Sequence, residues 1–484
     1  MKKNLFFTSL LTLCSGGLFA QDCTTNPAAY TDYVLAGNFA QQNSGDVYVN
    51  DMVMINRNGS YISIDVLSDP GNGVRELHKG TNSNYYNLDN VSGRMVKGDF
   101  DNDGHLDDFI LIYKTGTSSM RFDLFASNGG QYTPSFTQSS FYSLSGYDPD
   151  KITGRVVSGD FDHDGFWDDI AAFYDYGNGE TRIHVFKSNG STMVYSGSYG
   201  WWNVTGYTAG QITDRVVSGD FDRDGDIDDI AAFYDYGGGQ TRIHVWLSTG
   251  SSFSYQSGTG WWSSYGYSAS QITNRVVSLN IDRDNKEYDD IAVFYDYGGG
   301  QTRMHVFEST GSSFTYSNGA NGWWSSYGYT ASNISGRLDA IDSRSGISSS
   351  KVSDVVAFYD YGTATDKYHM WEVKNPLFGS PYVVYGHHNF CNTKSAEFED
   401  AFMLTDGVKV FPNPTAGTFV VKVPAVMLDN KLHATVFNSV GELILEQDLT
   451  NDQTRFDLAE EPEGMYFVKL LGKDVNEVIK IVKQ

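Results

Sequence analysis

Residues 155–177 read RVVSGDFDHDGFWDDIAAFYDYG, and residues 215–237 read RVVSGDFDRDGDIDDIAAFYDYG. The block recurs at 94–116 as RMVKGDFDNDGHLDDFILIYKTG, and altered at 275–298 as RVVSLNIDRDNKEYDDIAVFYDYG. Arg94, Arg155, Arg215, Arg275 and Arg337 open successive copies, and a degenerate first copy opens near Tyr33 with YVLAGNF. A period of about 60 residues predicts an array of like supersecondary units rather than one conventional core. In the third copy four strands are expected, near 155–161, 169–174, 181–187 and 192–196, with the tail at 200–213 as a link. In TRIHVF, Thr181, Ile183 and Val185 fall on one face of a strand and Arg182, His184 and Phe186 on the other. No 3.6-residue apolar period competes with this reading.

Four short strands per unit predict a propeller blade. The fold class expected is therefore all-β: a β-propeller of six blades, with seven as the alternative, and a small Ig-like β-sandwich after it. The repeat region is taken as 21–391, the linker as 392–407 and the second domain as 408–484. Past the linker the period stops, and FVVKV, ATVFN and YFVKLL alternate as strands of a small sandwich would.

The chain holds 59 acidic against 34 basic residues, a formal net charge of −25. No basic stripe is available for phosphates, so nucleic-acid binding is excluded. The first 20 residues join a basic start, a short apolar stretch and a small-residue end. They read as a signal peptide, with an anchor helix as the weaker alternative. No other stretch reaches 18 apolar residues, so no transmembrane span is expected. Of three cysteines, Cys14 lies in this leader, while Cys23 and Cys391 bracket the repeats. In an exported protein they are expected to pair as a clasp on the ring; two unpaired thiols are the alternative.

The loop of the third copy sets Asp160, Asp162, Asp164 and Asp168 at positions 1, 3, 5 and 9, with Gly165 at position 6 and the backbone carbonyl of Phe166 at position 7. Five hard oxygens in nine residues predict a Ca²⁺ loop. Asp99, Asp101, Asp103, His105 and Asp107 repeat the pattern in the second copy, and Asp220, Asp222, Asp224, Asp226 and Asp228 in the fourth. The alternative is Asx-turn chemistry without metal. At Asn280, Asp282 and Asp284 the glycine is lost to Asn285 and Asp289 comes one residue late, so a weak or empty site is expected there.

GDFDHDGFWDDIAAF resembles the FG-GAP, or VCBS, repeat of integrin α-chain propellers. That resemblance implies calcium held within a blade, in copies two to four. VFPNPTAG at 410–417, with NSVGE, EGMY and the final KIVK, resembles a type A C-terminal sorting domain of the type IX secretion system. It implies the type IX machinery as a partner and a secreted or cell-surface location.

The tails repeat Trp202 with Tyr207, Trp262 with Tyr267, and Trp324 with Tyr329. Aromatic faces of this kind take sugars, and these six residues are the expected ligand contacts; blade packing is the competing reading. There is no GxSxG, HExxH or cysteine nucleophile, so no enzyme is expected. The function expected is a calcium-stabilised binding module, for a glycan first. A protein-binding adhesin or a structural surface protein is the alternative, and a glycan-active enzyme the outsider.

Overall fold

The computed structural model describes residues 31–484 apart from 41–48, 59–60, 69–75, 79–81, 84–85, 131–133, 257, 282–287, 318, 320–321, 342–353, 361–366, 375–381, 390–408, 424–432, 439–441 and 472–475. The leader, Cys23 and Cys391, the linker and most of the 280–289 loop lie outside the described residues.

Six antiparallel sheets follow one another in chain order. In each, four consecutive strands pair as neighbours, which is the meander of a propeller blade. Blade 3 is typical: Val156–Gly159, Asp169–Gly177, Glu180–Ser188 and Met193–Tyr195. The tail is more ordered than a link. Trp202–Thr205 pairs with the third strand of its own blade, and Ala209–Ile212 forms a 3-10 turn. Blades 4 and 5 repeat both features.

Blades bury both faces, so strand alternation does not divide core from solvent. Thr181, Ile183 and Val185 are buried, and so are His184 and Phe186 from the other face. The hydrophobic clusters lie between blades. Phe161, Phe173 and Ile183 of blade 3 pack with Ile230, Ala232 and Trp246 of blade 4. Each such side chain taken out of water contributes roughly 1.5–3 kcal/mol.

The repeated arginine is a latch. Arg155 is buried and donates through Nε to Phe173 O (3.3 Å), through one amino group to Lys151 O (2.6 Å), and through the other to Thr213 Oγ1 (2.6 Å) of the next tail. Arg94, Arg215 and Arg275 bond in the same way to Thr153, Thr273 and Ser335.

The ring closes without a shared sheet. The innermost strand of blade 1, Thr31–Gly37, lies beside the innermost strands of blades 6 and 2, Leu338–Ile341 and Met95–Gly98. Val34, Ala36 and Met52 pack against Ile341, Val356 and Phe358. Ala36 N donates to Asp339 Oδ2 at 2.8 Å, and Lys97 Nζ pairs with the same oxygen at 2.9 Å. All six innermost strands line an axial cavity of about 260 Å³, mostly valine and leucine.

The last domain is a sandwich of a three-stranded and a four-stranded sheet. The expected strands appear as Thr418–Lys422, His433–Asn438 and Gly464–Leu471. Phe419, Val421, Val436, Phe456, Val468 and Ile481 fill its core.

Candidate metal loops and ligand rim

The Asp loops join the first and second strands of blades 2, 3 and 4. In each, positions 1, 3 and 5 converge: one oxygen each of Asp99, Asp101 and Asp103 lies within 4.8 Å of the others. Asp160, Asp162 and Asp164 do the same, as do Asp220, Asp222 and Asp224. The backbone sets this up. In blade 3, Asp160 accepts from Asp164 N (3.0 Å) and Gly165 N (2.9 Å), and Asp164 accepts from Phe166 N (3.1 Å). Asp99 and Asp103 repeat these bonds in blade 2, to Asp103 N, Gly104 N and His105 N. In blade 4, Asp222 takes Asp224 N, and Asp224 takes Asp226 N, both at 3.1 Å. Asx-turn bonds are thus present, and carboxylate oxygens remain beyond them.

Position 9 is outside those triads. Asp107, Asp168 and Asp228 are buried. Asp168 and Asp228 each give one oxygen to a residue of the preceding blade. Asn102, in the amide orientation its neighbours require, donates to Asp168 Oδ2 at 2.9 Å. His163 Nε2 lies 2.5 Å from Asp228 Oδ2. These position-4 residues, with Arg223 in blade 4, have φ of 57°, 61° and 67°, the left-handed backbone that swings a side chain across the seam. Oδ1 of Asp168, Asp228 and Asp162 is buried without a hydrogen-bond partner.

Burial, and then the charge of neighbouring carboxylates, pushes Asp168 and Asp228 up to about 7, and burial pushes Asp99 to about 6. Asp160, Asp162 and Asp164 all act on Asp168. In blade 3 four carboxylates crowd together, two of them with a partnerless buried oxygen and Asp162 also paired with Lys187 Nζ at 3.2 Å; the set fits a hard divalent cation, whose charge would offset the remaining repulsion. Asp160, Asp162, Asp164 and Asp168, with their counterparts, would hold it.

Sequence reasoning missed the next aspartate. Asp169 accepts from Asp162 N (3.0 Å) and from Ser188 N (3.0 Å) on the third strand. Asp108 and Asp229 do likewise. So does Asp290, from Ile281 N and Ser309 N, in a blade whose loop has lost the pattern. Asp354 takes Val373 N in blade 6, and Asp51 takes Ala40 N in blade 1. The signal was available: this acid persists where the other loop acids do not.

Loops also interlock. Asp99 N donates to Trp167 O and Asp160 N to Ile227 O, each at 2.9 Å, across seams. The glycine before each loop follows from this approach. A Cβ on Gly98 or Gly159 would sit 2.6 or 2.5 Å from that carbonyl.

The predicted ligand aromatics are packed. Tyr207, Tyr267 and Tyr329 are buried, and their hydroxyls bond His244 (3.3 Å), His305 (3.2 Å) and His369 (2.9 Å) of the following blade. Trp324 is 2 % exposed, against Trp371 and Phe294. Trp202 and Trp262 are half-buried against Trp246 and Phe307. The expected binding face is therefore corrected: the tails join blades, because a propeller seam needs large side chains to fill the space between splayed sheets.

Other aromatics are exposed at the rim away from the Asp loops. Arg182 lies over the Tyr176 ring at 4.4 Å and the Tyr199 ring at 5.5 Å. Arg242 stacks on Tyr236 at 4.8 Å and Arg303 on Tyr297 at 4.7 Å. Tyr199 is 79 % exposed, Tyr265 82 % and Tyr327 72 %. Arg182 is also tied to Glu180 (2.6 Å) and Ser198 O (2.7 Å). In blade 4, Gln240 replaces that glutamate and Arg242 keeps Gly258 O (3.2 Å).

In the last domain the PNPTAG turn is bound to the C-terminal strand. Asn413 Nδ2 donates to Lys480 O (2.7 Å), and its Oδ1 accepts from Val482 N (2.9 Å). Thr415 N donates to Val482 O at 2.8 Å, and the buried Lys483 Nζ donates to Ala459 O at 2.9 Å. Residues 409–484 match the family model described as the secretion system C-terminal sorting domain. The end of this chain is a sorting domain. The type IX system therefore delivers the protein to the cell surface or exterior. Among the described residues no helix of the chain is long and apolar enough to cross a membrane.

No curated protein matches the chain. Solved structures resemble it at low identity. AofleA from Arthrobotrys oligospora is 9 % identical with a TM-score of 0.40, covering 73 % of this chain and 86 % of that one. PorZ of Porphyromonas gingivalis, described as a surface component of the type-IX secretion system, is 11 % identical, with a TM-score of 0.25 and coverage of 90 % and 68 %. The WD40 domain of SCAP from fission yeast is 9 % identical, with a TM-score of 0.34 and coverage of 94 % and 88 %. The propeller assignment rests on this chain's own six sheets, and none of these neighbours speaks to its ligand.

Proposed function

We propose that the chain is an exported binding module of the FG-GAP kind, stiffened by calcium in blades 2 to 4, whose opposite rim binds carbohydrate. One observation carries the ligand half. Three successive blades present an arginine stacked on a tyrosine at the same place: Arg182 on Tyr176, Arg242 on Tyr236 and Arg303 on Tyr297. The arginine covers its tyrosine, so the C–H side of a sugar ring is expected against the exposed rings of the same rim, Tyr199, Tyr265 and Tyr327, while guanidinium N–H groups suit its hydroxyls. Three like sites on one rigid ring add avidity to weak single contacts. We read the chain as binding its ligand rather than transforming it: the acid pairs of blades 2 to 4, Asp107–Asp108, Asp168–Asp169 and Asp228–Asp229, are taken up by the loops and their anchors.

A glycan array probed with the calcium-loaded chain tests this. Wild type is expected to bind, and Tyr236→Ala and Arg242→Ala to lose that binding, with a thermal melt of each variant showing that it still folds. A wild type that binds no glycan would overturn the carbohydrate reading and put a protein-binding adhesin in its place.

A further inference from the structure

The seam between blades 3 and 4 differs from its neighbours. There the position-4 residue that reaches across is His163, where Asn102 and Arg223 stand in the adjoining blades. Position 7 of the receiving loop is Asp226, where blade 3 has Phe166. A ring nitrogen of His163 and one oxygen each of Asp224 and Asp226 lie within 4.8 Å of one another. Asp228, fully buried, meets His163 Nε2 through Oδ2 at 2.5 Å, while its Oδ1 has no hydrogen-bond partner.

We propose that this seam is a zinc site, made by His163 from one blade and by Asp224, Asp226 and Asp228 from the next. An imidazole among carboxylates turns selectivity from calcium toward a borderline transition ion such as Zn²⁺. The nitrogen of His163 and one oxygen each of Asp224 and Asp226 converge, and they leave one position of a four-coordinate zinc for Asp228, which lies against the imidazole. The left-handed backbone at His163 (φ 61°) fixes the imidazole in place before the metal arrives. Its side chain is 31 % exposed, which leaves an entry path. Such an ion would bridge two blades, whereas a loop cation stays within one. The other described seams lack the nitrogen: Asn102 offers an amide, and Arg223, 5.8 Å from the Tyr288 ring centroid, carries a positive charge. Asp224 and Asp228 also belong to the blade-4 calcium loop, so zinc at the seam is expected to displace the calcium of that loop; His163 and the side chain of Asp226, which the calcium reading does not use, distinguish the two sites.

Calorimetric titration of the full exported chain with Zn²⁺, after its divalent ions have been stripped with EDTA and the chelator removed, tests it. One tight zinc per chain is expected. His163→Asn, which gives this seam the residue of its neighbour, is expected to weaken zinc roughly tenfold or more. Its thermal midpoint without zinc checks that it folds. Zinc-edge absorption of the loaded wild type is expected to show one imidazole nitrogen in the first shell. Absence of zinc binding by the wild type, or zinc bound as tightly by His163→Asn, overturns the site. A calcium titration failing in parallel would be a separate result, against the loop reading and not against this one.

Discussion

Blades 3 and 6 share a buried carboxylate and differ in everything around it. Asp169 and Asp354 both open a second strand and accept a backbone N–H from the third, at 3.0 and 2.7 Å. Blade 3 surrounds its anchor with Asp160, Asp162, Asp164 and Asp168, while the chain ahead of Asp354 lacks that spacing. Since blade 6 forms its sheet without them, the outer acids are surplus to the fold. Lys187, Asn102 and His163 meet part of their charge, and in the function proposed above a cation offsets the rest. One carboxylate makes the blade, and the others form the candidate site.

The largest effect expected from this contrast is at the anchor. Asp169→Ala strands two backbone donors inside the protein, at about 1–3 kcal/mol each, or roughly 2–6 kcal/mol in all. Urea denaturation should show the loss equally with calcium and with EDTA. A loss confined to calcium-loaded protein would make Asp169 a metal ligand and break the distinction. Seams near blade 6 have aromatic packing instead of loop acids. Trp324→Ala there should cost roughly 3–5 kcal/mol. Tyr327→Ala, three residues on but exposed, should change stability by less than about 0.5 kcal/mol. Equal losses would mean that the tail packs differently from this account.

Acid should weaken the seams, while the loop aspartates that burial raises, Asp99 to about 6 and Asp168 to about 7, act in the opposite sense in metal-free protein. Burial holds His184 and His244 down to about 4, from an ordinary value of 6.5. The unfolded chain therefore takes protons that the folded chain refuses. Stability is intact above the unfolded value and falls as pH drops from there toward 4. The loss is on the order of 3 kcal/mol per histidine at the low end. His184→Gln should flatten part of that slope in melts run across this range with EDTA present. An unchanged slope would assign the acid sensitivity elsewhere.

Much of this was legible in the sequence because repetition exposes what each position does. The period gave the blades, the Asp spacing gave the converging triads, and the alternating runs gave the sandwich strands. The tails misled because Trp324 and Tyr329 look alike as binding or packing residues until the neighbouring blade is in place, and His369 comes from 40 positions away. Asp169 was hidden beside Asp168, although its survival as Asp290 and Asp354 distinguished it. The Asn102 and His163 contacts depend on a positive φ and on a residue in another blade, neither of which a single repeat displays. The Arg–Tyr rim was half visible: the arginines recur in sequence, but their tyrosines sit on the paired strand.

Calcium binding itself is the most direct test. Calcium held at about a hundredfold excess over its Kd should stabilise the protein by about 2.7 kcal/mol per site. Calcium titration of the metal-free chain by calorimetry should count three ions, one for each complete loop in blades 2, 3 and 4. Asp164→Asn should remove one of them while holding or raising the stability in EDTA, because it relieves repulsion on Asp168. No calcium bound, or three ions still bound by Asp164→Asn, would contradict the claim that the outer carboxylates are cation sites rather than part of the fold.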